Sequence, residues 1–239
     1  MNTLNHELTG SPKRQALAEG VWWGHLLWVL AGAVLGFGIA AVFAGLLHLS
    51  RHLYLIPYVV LVIAFLYGYA RWSKLALGQC ILYRWGWGVV GGVLVGIFAV
   101  QSVVRQPLSS TPEGVELVID LLWLGVVYGT VDGLLLSVLP VFAVWNALTR
   151  QGWTVHWPGR IGTGLLALLA SMLVIAVYHL GYPEFRGHQV MFPVFGVSMM
   201  SLAYIATGNP ISALISHIAM HITAVLYGLQ TAMQLPPHY

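Results

Sequence analysis

Charge is what this chain has least of. Only 7% of its 239 residues are Asp, Glu, Lys or Arg, where soluble domains carry about 25%. So few charges cannot cover a soluble fold of this size, which excludes a water-soluble enzyme or binding module. Cysteine is nearly absent as well. Cys80 stands alone, which excludes an internal disulfide and any cysteine-based metal cluster. No long polar stretch separates the apolar runs, so nothing marks a second domain. No Ser-His-Asp order or phosphate loop is present, and no G-x-G-x-x-G follows a strand. The ten basic residues give a formal net charge of +3. They are scattered at the ends of apolar runs, which argues against nucleic acid as a partner.

What the chain does have is hydrophobic residues, 59% of the total. The expected fold class is all-α, a multi-pass transmembrane helical bundle of about seven spans, each near the roughly 20 residues a bilayer requires. The expected spans cover residues 22–48, 53–71, 86–104, 122–148, 161–181, 190–207 and 210–230. Residues 1–21 read as a polar N-terminal tail, 22–230 as one transmembrane domain and 231–239 as a C-terminal tail. The run after the tail is too long for a signal-peptide core and lacks a cleavage site, so it reads as a retained span. Residues 72–85 look interfacial, 105–114 is the clearest loop, and 115–121 reads as a lead-in to the fourth span. Pro140 is expected to kink that span.

With the N-terminus in the cytoplasm, Lys13, Arg14, Arg71, Lys74, Arg84, Arg150 and Arg160 are cytoplasmic, and Arg51, Arg105 and Arg186 are outside. This balance follows the positive-inside rule. Localisation is therefore expected to be integral to a membrane, by default an inner or plasma membrane. Membrane lipid is the expected surrounding partner.

The polar residues inside the spans carry the functional argument. Asp132 lies mid-span in YGTVDGLLLSVLP, where a lone carboxylate costs about 2.5–3.5 kcal/mol on insertion scales. It reads either as a functional carboxylate or as a protonated group bonding Tyr128, Thr130 or Ser137. His179 ends the fifth span. His217 and His221 are four residues apart, on one helix face. That spacing suits two ligands of one divalent metal ion, although the Glu of H-E-x-x-H is replaced by Ile218. Helix-packing hydrogen bonds are the alternative. Glu184 and Arg186 share the turn YPEFRG and read first as a surface pair. His48 and His52 flank Arg51 and read as solvated.

Taken in order, these residues resemble the CPBP family of intramembrane proteases, the CAAX prenyl protease and bacteriocin-processing group. Its third motif is approached by Tyr204-Ile205-Ala206-Thr207-Gly208-Asn209-Pro210 leading to His217-x-x-x-His221. Its second, Phe-x-x-x-His, is approached by Ile175-x-x-x-His179. Where its first, Glu-Glu-x-x-x-Arg, would lie, the chain has Asp132, Gly133 and Ser137 in place of the two glutamates and the arginine. The resemblance covers about residues 122–230.

It implies a membrane peptidase acting on a polypeptide at or within the bilayer, or an inactive relative. Asp132 and His179 would activate water, while His217 and His221 would bind the oxyanion. Glu184, Arg186, Ser137 and Tyr204 are secondary candidates. No cofactor is required on this reading. The alternatives are a His/Asp metal, haem or proton site in a non-proteolytic protein, and a helical scaffold of a membrane complex.

Overall fold

The computed structural model describes the backbone of residues 12–236 and the side chains of residues 22–236. Helix is the only regular structure among them. Helix α1 (Pro12–Ile39) runs on through a π-helical stretch, Ala40–Leu46. It is followed by α2 (Arg51–Ser73), the short α3 (Leu77–Leu82) and α4 (Trp85–Val104). The long α5 covers Gly114–Arg150, and α6 covers Trp157–Leu180. Helices α7 (Met191–Thr207) and α8 (Ile211–Gly228) close the order. All but α3 belong to segments long and apolar enough to cross a membrane, seven among the described residues. Leu27, Val34, Leu94 and Phe195 are each more than 60% exposed, as lipid-facing side chains are. The chain is an all-α multi-pass bundle.

The central pillar is α5. Of its most apolar stretch 67% is buried, against 28% for α2 and for α4. The expected lead-in at 115–121 is part of this helix rather than a separate element. Two π-helical stretches, Leu121–Val127 and Leu134–Val138, interrupt it. Between them the α-helical Tyr128–Gly133 carries Asp132. Widened turns of this kind are uncommon and often sit at functional positions.

Pro140 follows the second stretch, at the start of the α-helical Leu139–Arg150. A proline cannot donate to the carbonyl four residues back, which is that of Leu136. Ser171 on α6 donates its hydroxyl to that carbonyl at 2.7 Å, so the break is satisfied from a neighbouring helix.

Helix α8 is gripped between two glycine stripes. On α4, Gly88, Gly92 and Gly96 meet Asn209, Ile215, Ser216 and Ala219. On α5, Gly125, Gly129 and Gly133 meet Ile222, Ile218 and His217. A Cβ at Gly129 would stand 3.0 Å from the Ile218 Cα, so the two backbones touch there. Small residues at every fourth position allow this approach between membrane helices. It carries the histidine face of α8 against Asp132.

Helix α1 extends back to Pro12, while residues 1–11 lie outside the described residues. Beyond α8 the chain folds back onto the bundle, and Ala232 and Leu235 are buried. Arg51 is 3% exposed. It donates through Nε to the Pro236 carbonyl at 2.6 Å and through Nη1 to that of Leu229. Residues 237–239 lie outside the described residues.

Candidate metal and water-activating centre

Asp132 is buried where α5 meets α8 and α2. Its Oδ1 accepts a hydrogen bond from the Tyr58 hydroxyl at 2.9 Å. Its Oδ2 stands 3.6 Å from His217 Nδ1 and 3.5 Å from His221 Nε2. Both separations exceed a good charge-assisted hydrogen bond, which is about 2.7–2.9 Å. His217 Nδ1 and both ring nitrogens of His221 are buried without a hydrogen-bond partner. Buried polar atoms of a native fold are nearly always paired, so three orphans in one cluster call for an explanation.

The ligand set offers one. One ligand atom each from Asp132, His217 and His221 lies within 4.8 Å of the others. Zinc binds imidazole and carboxylate at about 2.0–2.2 Å, so adjacent ligands of a tetrahedral ion stand about 3.3–3.5 Å apart. The 3.5 and 3.6 Å separations from Asp132 Oδ2 match two such edges. Two histidines and a carboxylate with an open fourth position form a donor set of the catalytic type.

The far side of His217 is fixed by hydroxyls. Its Nε2 is 3.1 Å from Ser137 Oγ. Ser201 on α7 donates to Ser137 Oγ at 2.9 Å and lies 2.6 Å from Ser171 Oγ. Ser171 is the residue that satisfies the Pro140 break. Asp132 and Ser137 are five residues apart across a π-helical stretch, so both reach the same histidine.

The near side opens on a cavity of about 300 Å³. Asp132, His221, His179 and Tyr128 line it, with Phe185, Met200 and Met220 among its apolar walls. His179 makes no contact with Asp132 within ion-pairing distance. Its Nδ1 is bonded at 2.8 Å to the carbonyl of Ile175, so Nε2 carries the lone pair. Four tyrosine hydroxyls, of Tyr54, Tyr128, Tyr178 and Tyr182, form a bonded cluster beside it, with Tyr178 to Tyr182 at 2.7 Å. The segment Met233–Pro236 covers one side, and the Gln234 backbone also lies near His221.

The structure thus brings Asp132, Ser137, His217 and His221 into contact and puts His179 on the same cavity. Of the secondary candidates, Ser137 belongs to the centre and the other three lie apart. Glu184 and Arg186 are exposed, and no ion pair joins them among the described residues. Tyr204 is buried in a separate apolar cluster with Val141, Val144, Ala167 and Ala213. His52, expected to be solvated, pairs with buried Asp120 at 2.5 Å.

Sequence reasoning missed Tyr58, Ser171 and Ser201. A usable signal existed in Tyr54/Tyr58 and Tyr178/Tyr182, two pairs at one-turn spacing inside or at the end of apolar segments.

Fold and centre together define a polytopic helical membrane protein with a buried carboxylate–imidazole cluster beside an apolar cavity. Comparison with family models, with curated proteins and with solved structures finds no match to this chain.

Proposed function

We propose that the protein is an intramembrane hydrolase of the peptidase kind, with a divalent transition metal held by Asp132, His217 and His221. The convergence of these three ligands, with three unpaired imidazole nitrogens, beside an apolar cavity that Asp132 and His221 line, carries this reading. A zinc ion so held supplies Lewis acidity, lowering the pKa of a bound water and polarising an amide carbonyl.

The chain's own residues do the rest. Tyr58 occupies Oδ1 of Asp132 and leaves Oδ2 for the metal. Ser137, accepting from His217 Nε2–H, keeps the tautomer whose Nδ1 lone pair faces Asp132. His179 Nε2 is the base on the cavity wall, and the Tyr128 hydroxyl is the donor available to a developing oxyanion. The apolar lining excludes water from the rest of the cavity and suits an apolar side chain beside the scissile amide.

With the N-terminus cytoplasmic, the cavity lies toward the outer leaflet of an inner or plasma membrane, on the side of Gln106, Phe185 and Pro236. The substrate class is a membrane-embedded or membrane-proximal polypeptide.

A metal-free version, in which Asp132 and His179 activate water and His217 and His221 bind the oxyanion, is the arrangement the CPBP resemblance implies. The shared cavity of Asp132 and His179 favours it.

One experiment separates the two. Protein purified without chelator is assayed for metal and for cleavage of a quenched-fluorescent peptide in proteoliposomes. About one zinc per chain, lost in both His217→Ala and His221→Ala, supports the metal reading. Cleavage with no bound metal supports the metal-free one. Zinc binding without cleavage of any peptide removes the hydrolase and leaves a metal-binding membrane protein.

A further inference from the structure

The end of the bundle opposite the Met233–Pro236 segment has its own architecture. Arg84 immediately precedes α4, with φ +52°. Asn209, fully buried between α7 and α8, fixes the backbone leading to it. Its side-chain amide donates to the carbonyls of Ile81 at 2.9 Å and Tyr83 at 2.5 Å. Arg160, in the first turn of α6, is steadied from Nε to the carbonyl of Thr154 at 2.8 Å.

Two apolar grooves start at these arginines. One, of about 650 Å³, runs between α6 and α7 past Ile161, Leu165 and Leu168, and includes both Arg84 and Arg160. The other, of about 440 Å³, runs between α4 and α7 past Val90, Leu94 and Met199, and includes Arg84. Leu202 and Ala206 border both, so α7 forms the ridge between them. No acidic side chain lines either groove.

From Trp157 to Leu168, and from Arg84 to Leu94, is about 15–17 Å at 1.5 Å per residue. One leaflet of the hydrocarbon core is about 15 Å deep. Trp157 and Trp87, both more than 60% exposed, stand near the groove mouths, as interfacial aromatics do.

We infer that this face binds one anionic diacyl phospholipid. The phosphate sits between the Arg84 and Arg160 guanidinium groups, and one acyl chain lies on each side of α7. The match has three parts: two cations with no competing carboxylate in either groove, two grooves that share Arg84 at one end, and a groove length close to one leaflet. Neither groove includes Asp132, His217 or His221, so the inference does not rest on the proposed hydrolase.

The test is native mass spectrometry of the full-length protein in detergent, titrated with phosphatidylglycerol or with phosphatidylcholine of the same chains. Phosphatidylglycerol is expected to bind about thirtyfold more tightly, which corresponds to about 1 kcal/mol for each arginine. The double variant Arg84→Gln/Arg160→Gln is expected to bind both lipids alike. Arg150→Gln, a basic residue at the same end outside the grooves, is expected to keep the preference. Unchanged circular-dichroism melting establishes that each variant is folded.

Equal binding of the two lipids to the unaltered protein overturns the inference. So does a preference that survives the double variant. Displacement of phosphatidylglycerol by millimolar inorganic phosphate also overturns it, in favour of a small-anion site.

Discussion

Helix α5 carries two buried aspartates that meet histidines, and the two meetings differ. Asp120 accepts from or pairs with His52 at 2.5 Å, and that histidine is about half exposed. Asp132 faces His217 and His221 at 3.6 and 3.5 Å, and both rings are buried. The first pair is in direct contact through Asp120 Oδ1, while Asp120 Oδ2 is buried without a hydrogen-bond partner. The second is splayed, with room between the groups for an ion, and three of its four imidazole nitrogens have no hydrogen-bond partner. Burial alone therefore does not mark a candidate centre. What distinguishes Asp132 is the convergence of two buried imidazoles on one carboxylate oxygen, together with a cavity on one side and a hydroxyl chain on the other.

The contrast can be broken at several points. The largest effect is expected at the centre itself. Asp132→Asn should weaken zinc binding at least about a hundredfold, and Tyr58→Phe should weaken it about 10- to 100-fold as a supporting change. Metal titration by calorimetry reads both. Asp120→Asn should leave zinc binding unchanged, and equal losses at the two aspartates would remove the distinction.

Next comes the helix contact. Gly129→Val forces side-chain atoms against the α8 backbone, and a loss of about 1–3 kcal/mol is expected on thermal unfolding in detergent. Gly38→Ala, where a Cβ meets nothing within 4 Å, should be close to neutral. An intact metal site in a folded Gly129→Val protein would mean that α8 does not need this close approach.

Asp120→Ala should lower the unfolding temperature, by about 1–3 kcal/mol of stability, through loss of a buried hydrogen-bonded acceptor. His52→Gln should cost about 1 kcal/mol or less, because its half of the pair is solvated. The smallest effects belong to Glu184→Ala and Arg186→Ala, expected within about 0.5 kcal/mol and without change in metal content.

Much of the fold was legible in the chain because a bilayer leaves few options. Backbone groups in hydrocarbon must bond within helices, so each apolar run of about 20 residues translates into a span. The approach of Asp132 to His217 and His221 follows from the same constraint, since polar side chains at membrane depth are costly and turn inward.

Other features were hidden for physical reasons. Arg51 and His52 sit at a helix start, where basic residues are ordinarily wet. Nothing local reveals that Pro236, 185 residues later in the chain, covers Arg51. Tyrosines near span ends look like interfacial anchors, which concealed the hydroxyl cluster around Tyr178. The π-helical stretches of α5 leave no compositional mark, so a change of helix phase around Asp132 could not be read from periodicity.

The Arg51–Pro236 bond also bears on biogenesis. A nascent chain inserted as far as Gly228 already has all seven spans, both glycine stripes, Asp132 and the two histidines. It lacks the stretch that covers the cavity. Arg51, among the first residues inserted, then waits with its guanidinium unclasped until the Leu229 and Pro236 carbonyls arrive. The segment that covers the cavity thus follows every residue of the centre along the chain.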